Sequence, residues 1–329
     1  MKEILQRLTS HLTMEREEAR DVLKKIANGD YNNSQVSAFL TVFMMRMITV
    51  HELAGFRDAL LELCLSIDLS DFETIDLCGT GGDGKNTFNI STLSSFIVAG
   101  AGGKVAKHGN YGVSSTCGSS NVMEYLGYKF TNERDKLINQ LDKANICFLH
   151  APLFHPAMKT VAPIRRELSV KTFFNMLGPM VNPSFPANQL IGVWSLETAR
   201  LYNYIYQQTD KNYAIIYSLD GFDEISLTSE FKIISNHEDE LLTPEKIGFS
   251  RLNQTELTGG KTVEESVKLF IKILQGEGTE SQNAVVIVNS GIALNRLYPQ
   301  KSIFECFEMA NDTLKSGKGF NILNKLLSL

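Results

Sequence analysis

The sequence predicts a two-part fold: a small all-helical N-terminal domain over 1–70 and a larger α/β domain over 71–329 with a mostly parallel central sheet. Three observations carry this reading. Residues 1 to about 70 keep helical spacing and carry helix-start signals. From Glu73 on, short β-like runs alternate with amphipathic stretches, the pattern of a parallel sheet covered by helices. The first of those runs leads directly into a glycine-rich turn and then an apolar helix.

Taken in order, Ile4, Leu5, Leu8 and Leu12 share one helical face. Asn32 with Gln35, and Thr49 with Glu52, are spaced as capping boxes that open two further helices. The strand candidates are Glu73 to Cys78, Lys104 to Ala106, Ile146 to Leu149, Gln189 to Trp194 and Tyr213 to Tyr217. Helical patterns run over Leu93 to Ala101, Glu133 to Ala144, Glu197 to Gln208 and Val263 to Leu274, with a helix start at Val122 to Leu126. His155-Pro156 reads as a helix start with proline in its first turn. A helical segment near 155–180 is expected to join the N-terminal domain.

Composition narrows the function class. The hydrophobic content of 43% and charged content of 21% are ordinary for a globular protein. A net charge of −5 gives no support to nonspecific nucleic-acid binding. No apolar run approaches the ~18 residues of a membrane span, and Met1-Lys2-Glu3-Ile4 leads into no signal-peptide core. Five scattered cysteines without a Cys-x-x-Cys pair fit the reduced cytoplasm better than a disulfide framework or zinc site.

The chemistry concentrates in Asp76 to Ser91. Gly79, Gly81 and Gly82 let backbone N–H groups approach an anion. Asn89, Ser91 and Thr92 then stand at the mouth of a helix, whose N-terminus offers unpaired N–H groups and a positive dipole end. The run is not a P-loop, because Asn86 follows Lys85, and it fails the dinucleotide spacing. Asp83 repels phosphate unless a cation or sugar hydroxyl meets it, so the pattern points to a ligand with phosphates, hydroxyls and a metal. The bland alternative is a turn that happens to be glycine-rich.

A second segment, Lys107 to Asn121, follows a strand and offers a cation, glycines and hydroxyls. Two such loops after successive strands favour a phosphorylated ligand at the strand carboxyl ends. His108 beside a glycine turn is more often a structural donor than a base, and it is the one weak candidate for an acid or base.

The chain resembles the anthranilate phosphoribosyltransferase family, of the type III phosphoribosyltransferase fold. The resemblance rests on Gly79-Thr80-Gly81-Gly82-Asp83, Asn89-Ile90-Ser91-Thr92, Lys107-His108-Gly109-Asn110 and His155-Pro156-Ala157-Met158-Lys159. Pro163 to Leu168, Phe174 to Pro179, Asn182-Pro183 and Asp223-Glu224 continue it in the same order.

The resemblance implies transfer of a phosphoribosyl group from phosphoribosyl pyrophosphate to the amine of anthranilate, a step of tryptophan biosynthesis. It implies donor binding by Gly79, Gly82, Asp83, Thr87, Asn89, Ile90, Ser91 and Thr92. It adds Lys107, His108, Gly109, Asn110, Tyr111, Gly112, Val113, Ser114, Ser115 and Ser119. Anthranilate falls to Gly79, Asn110 and Arg165, and Mg²⁺ to Ser91, Asp223 and Glu224. A homodimer paired through the helical domain is expected, in keeping with apolar Phe39, Leu40, Phe43, Met44, Met45 and Met47.

Departures from the family pattern are Tyr111 for a common arginine, Asn121 for an aspartate, His150 for an apolar residue, Ser169 for glycine and Lys171 for arginine. Two rival readings remain open: a pyrimidine nucleoside phosphorylase, and a non-catalytic nucleic-acid-binding relative of the same fold.

Overall fold

The computed structural model describes residues 1–112 and 116–329. Four helices open the chain: α1 (Lys2–Thr9), α2 (Arg16–Ala27), α3 (Asn33–Met45) and α4 (Val50–Leu63). Both capping boxes form. The Asn32 side chain accepts the Gln35 N–H at 3.0 Å while Gln35 accepts the Asn32 N–H at 3.2 Å. Glu52 accepts the Thr49 N–H at 3.0 Å, and Thr49 accepts that of Glu52 at 3.2 Å. Beyond Leu63 the backbone is irregular up to β1 (Thr74–Gly79), which shortens the helical stretch read to about 70.

The order continues α5 (Ile90–Gly100), β2 (Lys104–Gly109), α6 (Ser119–Tyr125), α7 (Arg134–Ala144), β3 (Ile146–His150), α8 (Ala151–Phe154) and α9 (Met158–Leu168). Then come β4 (Asn188–Gly192), α10 (Leu196–Tyr206), β5 (Asn212–Ser218), β6 (Phe231–Ser235) and β7 (Asp239–Leu242). Four helices close the chain: α11 (Val263–Leu274), α12 (Glu280–Leu297), α13 (Ile303–Lys315) and α14 (Lys318–Leu327).

The chain divides into two compact units, Met1–Ser66 with Ala151–Pro183, and Ile67–His150 with Ser184–Leu329. Aromatic packing ties the distant pieces of the first unit together. Phe173 stacks on Phe56 at 4.3 Å and meets Phe39 and Phe43 edge-on. Phe39, Leu40 and Phe43 are therefore core residues of this unit, and only Met44, Met45 and Met47 of the apolar group stay exposed. Pro156 lies in the turn between α8 and α9 rather than in a first helical turn. Ser169 ends α9 with φ of 54°, a left-handed position that suits glycine.

The second unit holds one seven-stranded sheet in the order β3-β2-β1-β4-β5-β6-β7. β1 to β5 pair in parallel, and β6 and β7 add an antiparallel edge. The antiparallel pair is absent from the sequence reading because β7 is largely exposed and carries Asp239 and Glu240 in place of an apolar run. The sheet order reverses at β1, between β2 and β4, which makes the carboxyl ends of β1 and β4 the topological switch point. α5 is buried from Ile90 to Ala99 apart from half-buried Ser91. It starts directly above this point and packs under α12 and α14, so its apolar character has a core on every side.

Glu52 is the most deeply buried charge of the helical unit. It pairs with Arg46 at 2.5 Å and accepts the Met14 N–H at 3.0 Å. Burial pushes its carboxyl up, but the Arg46 guanidinium and the N–H groups of Thr49 and Met14 outweigh this and hold it below its ordinary range. Glu52→Ala should cost about 3–5 kcal/mol, since it leaves the largely desolvated Arg46 side chain without its carboxylate partner. With the folded pKa depressed, this stabilisation is complete above the unfolded value of about 4.3 and fades as pH falls through the folded one. Urea unfolding should show a wide gap between wild type and variant at pH 7 that narrows below about pH 4. An equal gap at both pH values contradicts the assignment.

Candidate active site

β1 and β4 end in register, Gly79 opposite Gly192. Immediately beyond, the Thr80 N–H donates to the Gly192 carbonyl at 2.9 Å. The chain then turns through Gly81, Gly82 and Gly84, each with positive φ, which only glycine adopts cheaply. The loop after β5 settles onto this pair of strand ends. A Cβ at Gly79 would strike the Asp223 carboxylate, and one at Gly192 would strike the Asp223 main chain. Two glycines facing each other across the parallel ladder thus make the floor on which Asp223 rests.

That loop is fastened from behind. The Ser218 hydroxyl donates to the Glu224 carbonyl at 2.6 Å. Asn289 on α12 accepts the Ile225 N–H at 3.1 Å and donates to its carbonyl at 2.9 Å. The Gly81 N–H donates to Asp223 at 2.6 Å. As a result Asp83, Asp223 and Glu224 each bring a carboxylate oxygen within 4.8 Å of the others.

Such crowding has an electrostatic signature. Burial, then the Asp83 charge, pushes the Asp223 carboxyl up to about 7 against the pull of the Gly81 N–H. Burial, then Asp223 and Asp83, raises Glu224 well above the carboxylate range, opposed by Lys107 and the Ser91 N–H at the start of α5. The Glu224 Oε2 is buried without a hydrogen bond. Three oxygen donors with no sulfur or imidazole among them match a hard divalent cation, and Mg²⁺ fits this set.

Lys107 lies beneath the glycine turn. It is 2% exposed, and its Nζ donates to the Leu77 carbonyl at 2.6 Å and to the Ser91 hydroxyl at 3.4 Å. Desolvation lowers its pKa, offset in part by Cys78, Asp76 and Glu224. It belongs to the floor of the site, not to an exposed rim. The neighbouring His108 is also buried, and its N–H donates to Asp76 at 3.0 Å. Asp76 itself is fully buried.

The second glycine segment is joined to the first by Asn89, whose Nδ2 donates to the Cys117 carbonyl at 2.9 Å. Asn89 therefore bridges the two segments instead of capping α5 with its side chain. Thr92 is buried inside α5, and Ile90 is buried at its start. Thr87 forms an isolated bridge with Thr258. Ser119 is the first residue of α6, close to the Asn110 carbonyl at 3.4 Å and so near Gly109 that a Cβ there would strike its hydroxyl.

Asn121 accepts the N–H groups of Gly112 and Gly118 at 2.9 and 3.0 Å, a task an aspartate could equally perform. Tyr111 meets His150 edge-on and donates to Glu124 at 3.2 Å, while Phe130 stacks on the same His150 at 4.4 Å. The departures Tyr111 and His150 are thus partners of one another. Val113, Ser114 and Ser115 lie outside the described residues.

Arg165 sits on α9 in the helical unit. Its guanidinium lies over the Phe174 ring at 5.1 Å, and burial lowers its pKa. Among the described residues no acidic side chain pairs with it, so it is not the helix-surface ion pair that its sequence also permits. His155 is buried, bonds the Val181 carbonyl at 2.9 Å, and is pushed down to about 4 by burial.

Gly192, Ser218 and Asn289 were not singled out by the sequence, and Asp76 entered only as the first residue of the glycine run. Asp76 reads as an ordinary strand residue, and the other roles arise only from strand register and from a helix some 65 positions away.

Residues 71–320 match the glycosyl transferase family, a/b domain, and 2–64 match the glycosyl transferase family, helical bundle domain. The anthranilate phosphoribosyltransferase of Flavobacterium psychrophilum is 61% identical over 100% of this chain and 99% of its own length. The chain belongs to the anthranilate phosphoribosyltransferase family. The Flavobacterium johnsoniae member is 60% identical over the same shares. The crystal structure of the family member from Thermus thermophilus superposes with a TM-score of 0.91 at 30% identity, covering 98% of each chain. The Saccharomyces cerevisiae member, in complex with PRPP and Mg, has the same fold, with a TM-score of 0.89 at 24% identity over 98% of this chain and 96% of its own.

Asp223→Asn removes one of three crowded charges and keeps an oxygen to accept the Gly81 N–H. In excess chelator at pH 8 its melting temperature should rise by a few degrees above wild type. A fall would show that the carboxylate cluster carries no repulsion.

Proposed function

We propose that this protein transfers the phosphoribosyl group of phosphoribosyl pyrophosphate to the amine of anthranilate, giving N-(5-phosphoribosyl)anthranilate and pyrophosphate in tryptophan biosynthesis. The observation that carries the reading is the carboxylate triple Asp83, Asp223 and Glu224 at the switch point, beside a glycine turn and the start of α5. A phosphate donor alone would be repelled by it, whereas a donor bound together with Mg²⁺ needs it.

The turn from Gly79 to Asp83, with Thr87, Asn89, Ser91 and Thr92, holds the pyrophosphate and ribose. Asn110 and Ser119 complete the donor site from the second segment. Buried Lys107 supplies positive potential from below and fixes Leu77 and Ser91 in place. Mg²⁺, held by Asp223, Glu224 and the Ser91 hydroxyl, would offset negative charge that grows on the departing pyrophosphate.

Arg165 takes the anthranilate carboxylate. A guanidinium without an acidic partner, stacked on Phe174, suits a planar aromatic acid. The amine displaces pyrophosphate at ribose C1′ through an oxocarbenium-like transition state. Catalysis rests on positioning and charge stabilisation, with no covalent nucleophile. The amine proton leaves late, to solvent, pyrophosphate or the substrate's own carboxylate. His108, buried on β2, is not assigned as base.

The reading extends to a cytoplasmic homodimer. All five cysteines are free, and no described helix is long and apolar enough to cross a membrane. Exposed Met44, Met45 and Met47 on the helical unit supply the apolar face for pairing. Light scattering at micromolar concentration should give twice the chain mass, and a monomer mass contradicts the pairing.

The direct assay is loss of anthranilate fluorescence with phosphoribosyl pyrophosphate and Mg²⁺. Phosphorolysis of thymidine or uridine in its place would overturn the reading, as would DNA binding without transfer. Arg165→Ala removes a charge-assisted contact of roughly 1.5–3 kcal/mol, so the anthranilate KM should rise about tenfold to a hundredfold. Its kcat and donor KM should hold. A defect in the donor KM with normal anthranilate binding contradicts the role. Asp223→Asn with Glu224→Gln should lose most turnover while keeping the fold, with partial recovery at high Mg²⁺; full activity at limiting Mg²⁺ places the metal elsewhere.

A further inference from the structure

The glycine turn is followed by an arm, Lys85 to Asn89, that precedes α5 and is half-buried or exposed except at buried Phe88. Burial of Phe88 and the Asn89 bond to Cys117 hold its far end, but nothing local fixes the path of Asn86 and Thr87. A segment some 170 residues later does. The Gly259 N–H donates to the Asn86 carbonyl at 2.6 Å, and the Phe88 N–H donates to the Leu257 carbonyl at 3.3 Å. These enclose the antiparallel bridge between Thr87 and Thr258. The Asn86 Nδ2 donates to the Gly260 carbonyl at 3.3 Å.

Gln254 reaches both sides of the site. Its Oε1 accepts from Lys85 Nζ at 3.4 Å, and its Nε2 donates to Asp220 at 3.0 Å. Lys85 also lies over the Phe222 ring, next to Asp223. The later segment is itself held firmly. Leu257 is fully buried, and Glu256 accepts the Ser281 hydroxyl of α12 at 2.6 Å.

We propose that residues 254–260 act as a strap that positions the donor arm Thr87 to Asn89 against the loop bearing Asp223 and Glu224, with Gly259 as the residue that lets it close. A Cβ at Gly259 would come within 2.6 Å of the Thr87 carbonyl oxygen and 2.8 Å of its carbon. Both are backbone atoms, so the arm itself must shift. Gly259 touches no substrate, and it acts through Thr87. The proposal rests on the reading of Thr87 to Asn89 as donor-binding.

The test compares Gly259→Ala, Asn86→Ala and Thr87→Val. Gly259→Ala should raise the donor KM at least tenfold, with kcat within about twofold and the anthranilate KM unchanged. Amide hydrogen exchange at Phe88 and residue 259 should speed up in the same variant without donor present. Asn86→Ala loses one exposed hydrogen bond and should raise the donor KM about two- to tenfold; it carries the same test if Gly259→Ala does not fold. Thr87→Val keeps the strap and removes only a hydroxyl. A raised donor KM in Thr87→Val alongside unchanged donor KM and unchanged exchange in Gly259→Ala and Asn86→Ala overturns the strap. An unchanged donor KM in all three overturns the donor reading of the arm, and the strap's role with it.

Discussion

Three carboxylates share a small buried space at the end of β1, and the architecture of the α/β unit follows from keeping them there. Left alone, Asp83, Asp223 and Glu224 repel, and burial sharpens the repulsion because water cannot screen it. The raised pKa values of Asp223 and Glu224 record this cost. A folded protein tolerates such an arrangement where a bound cation offsets the charge. The position of the cluster, at the switch point of a parallel sheet, is where α/β proteins gather ligands.

The backbone makes the crowding possible. β1 and β4 run in parallel register so that two glycines end side by side, and the Asp223 loop descends into the space their missing side chains leave. Ser218 and Asn289 hold the loop from behind, and α5 meets it with its N-terminal Ser91 N–H. Lys107 partly balances the charge from underneath. Each support comes from a different element, so the site depends on β1, β2, β4 and β5 together and on α5 and α12. Arg165 is held separately, over the Phe174 ring in the helical unit.

Much of this was legible in the sequence, for identifiable reasons. Both capping boxes are local signals, and both form. The five parallel strands are short apolar runs, which survive burial on two faces, and each was found to within a few residues. The glycine turn announced itself because positive φ leaves a compositional mark. The resemblance implied Mg²⁺ at Ser91, Asp223 and Glu224 and gave Asp83 to the donor; that Asp83 crowds Asp223 and Glu224 emerges only in the structure, since no spacing rule joins residues so far apart in the chain. Gly192, Asn289 and Gly259 stayed invisible because their function is to leave room or hold a backbone group at long range. The edge strands β6 and β7 were missed because an exposed edge keeps little apolar pattern. Phe39 and Phe43 looked like surplus surface until Phe173 returned from a distant part of the chain to cover them.

On the proposed function, the carboxylate cluster receives a cation together with a phosphorylated donor. Titration calorimetry with phosphoribosyl pyrophosphate, at matched ionic strength, probes this coupling. With Mg²⁺ present the donor should bind with one site per chain; in excess chelator binding should weaken by at least tenfold, because the carboxylates then face the pyrophosphate uncompensated. Equal affinity in the two solutions would show that the carboxylates do not bind a cation with the donor.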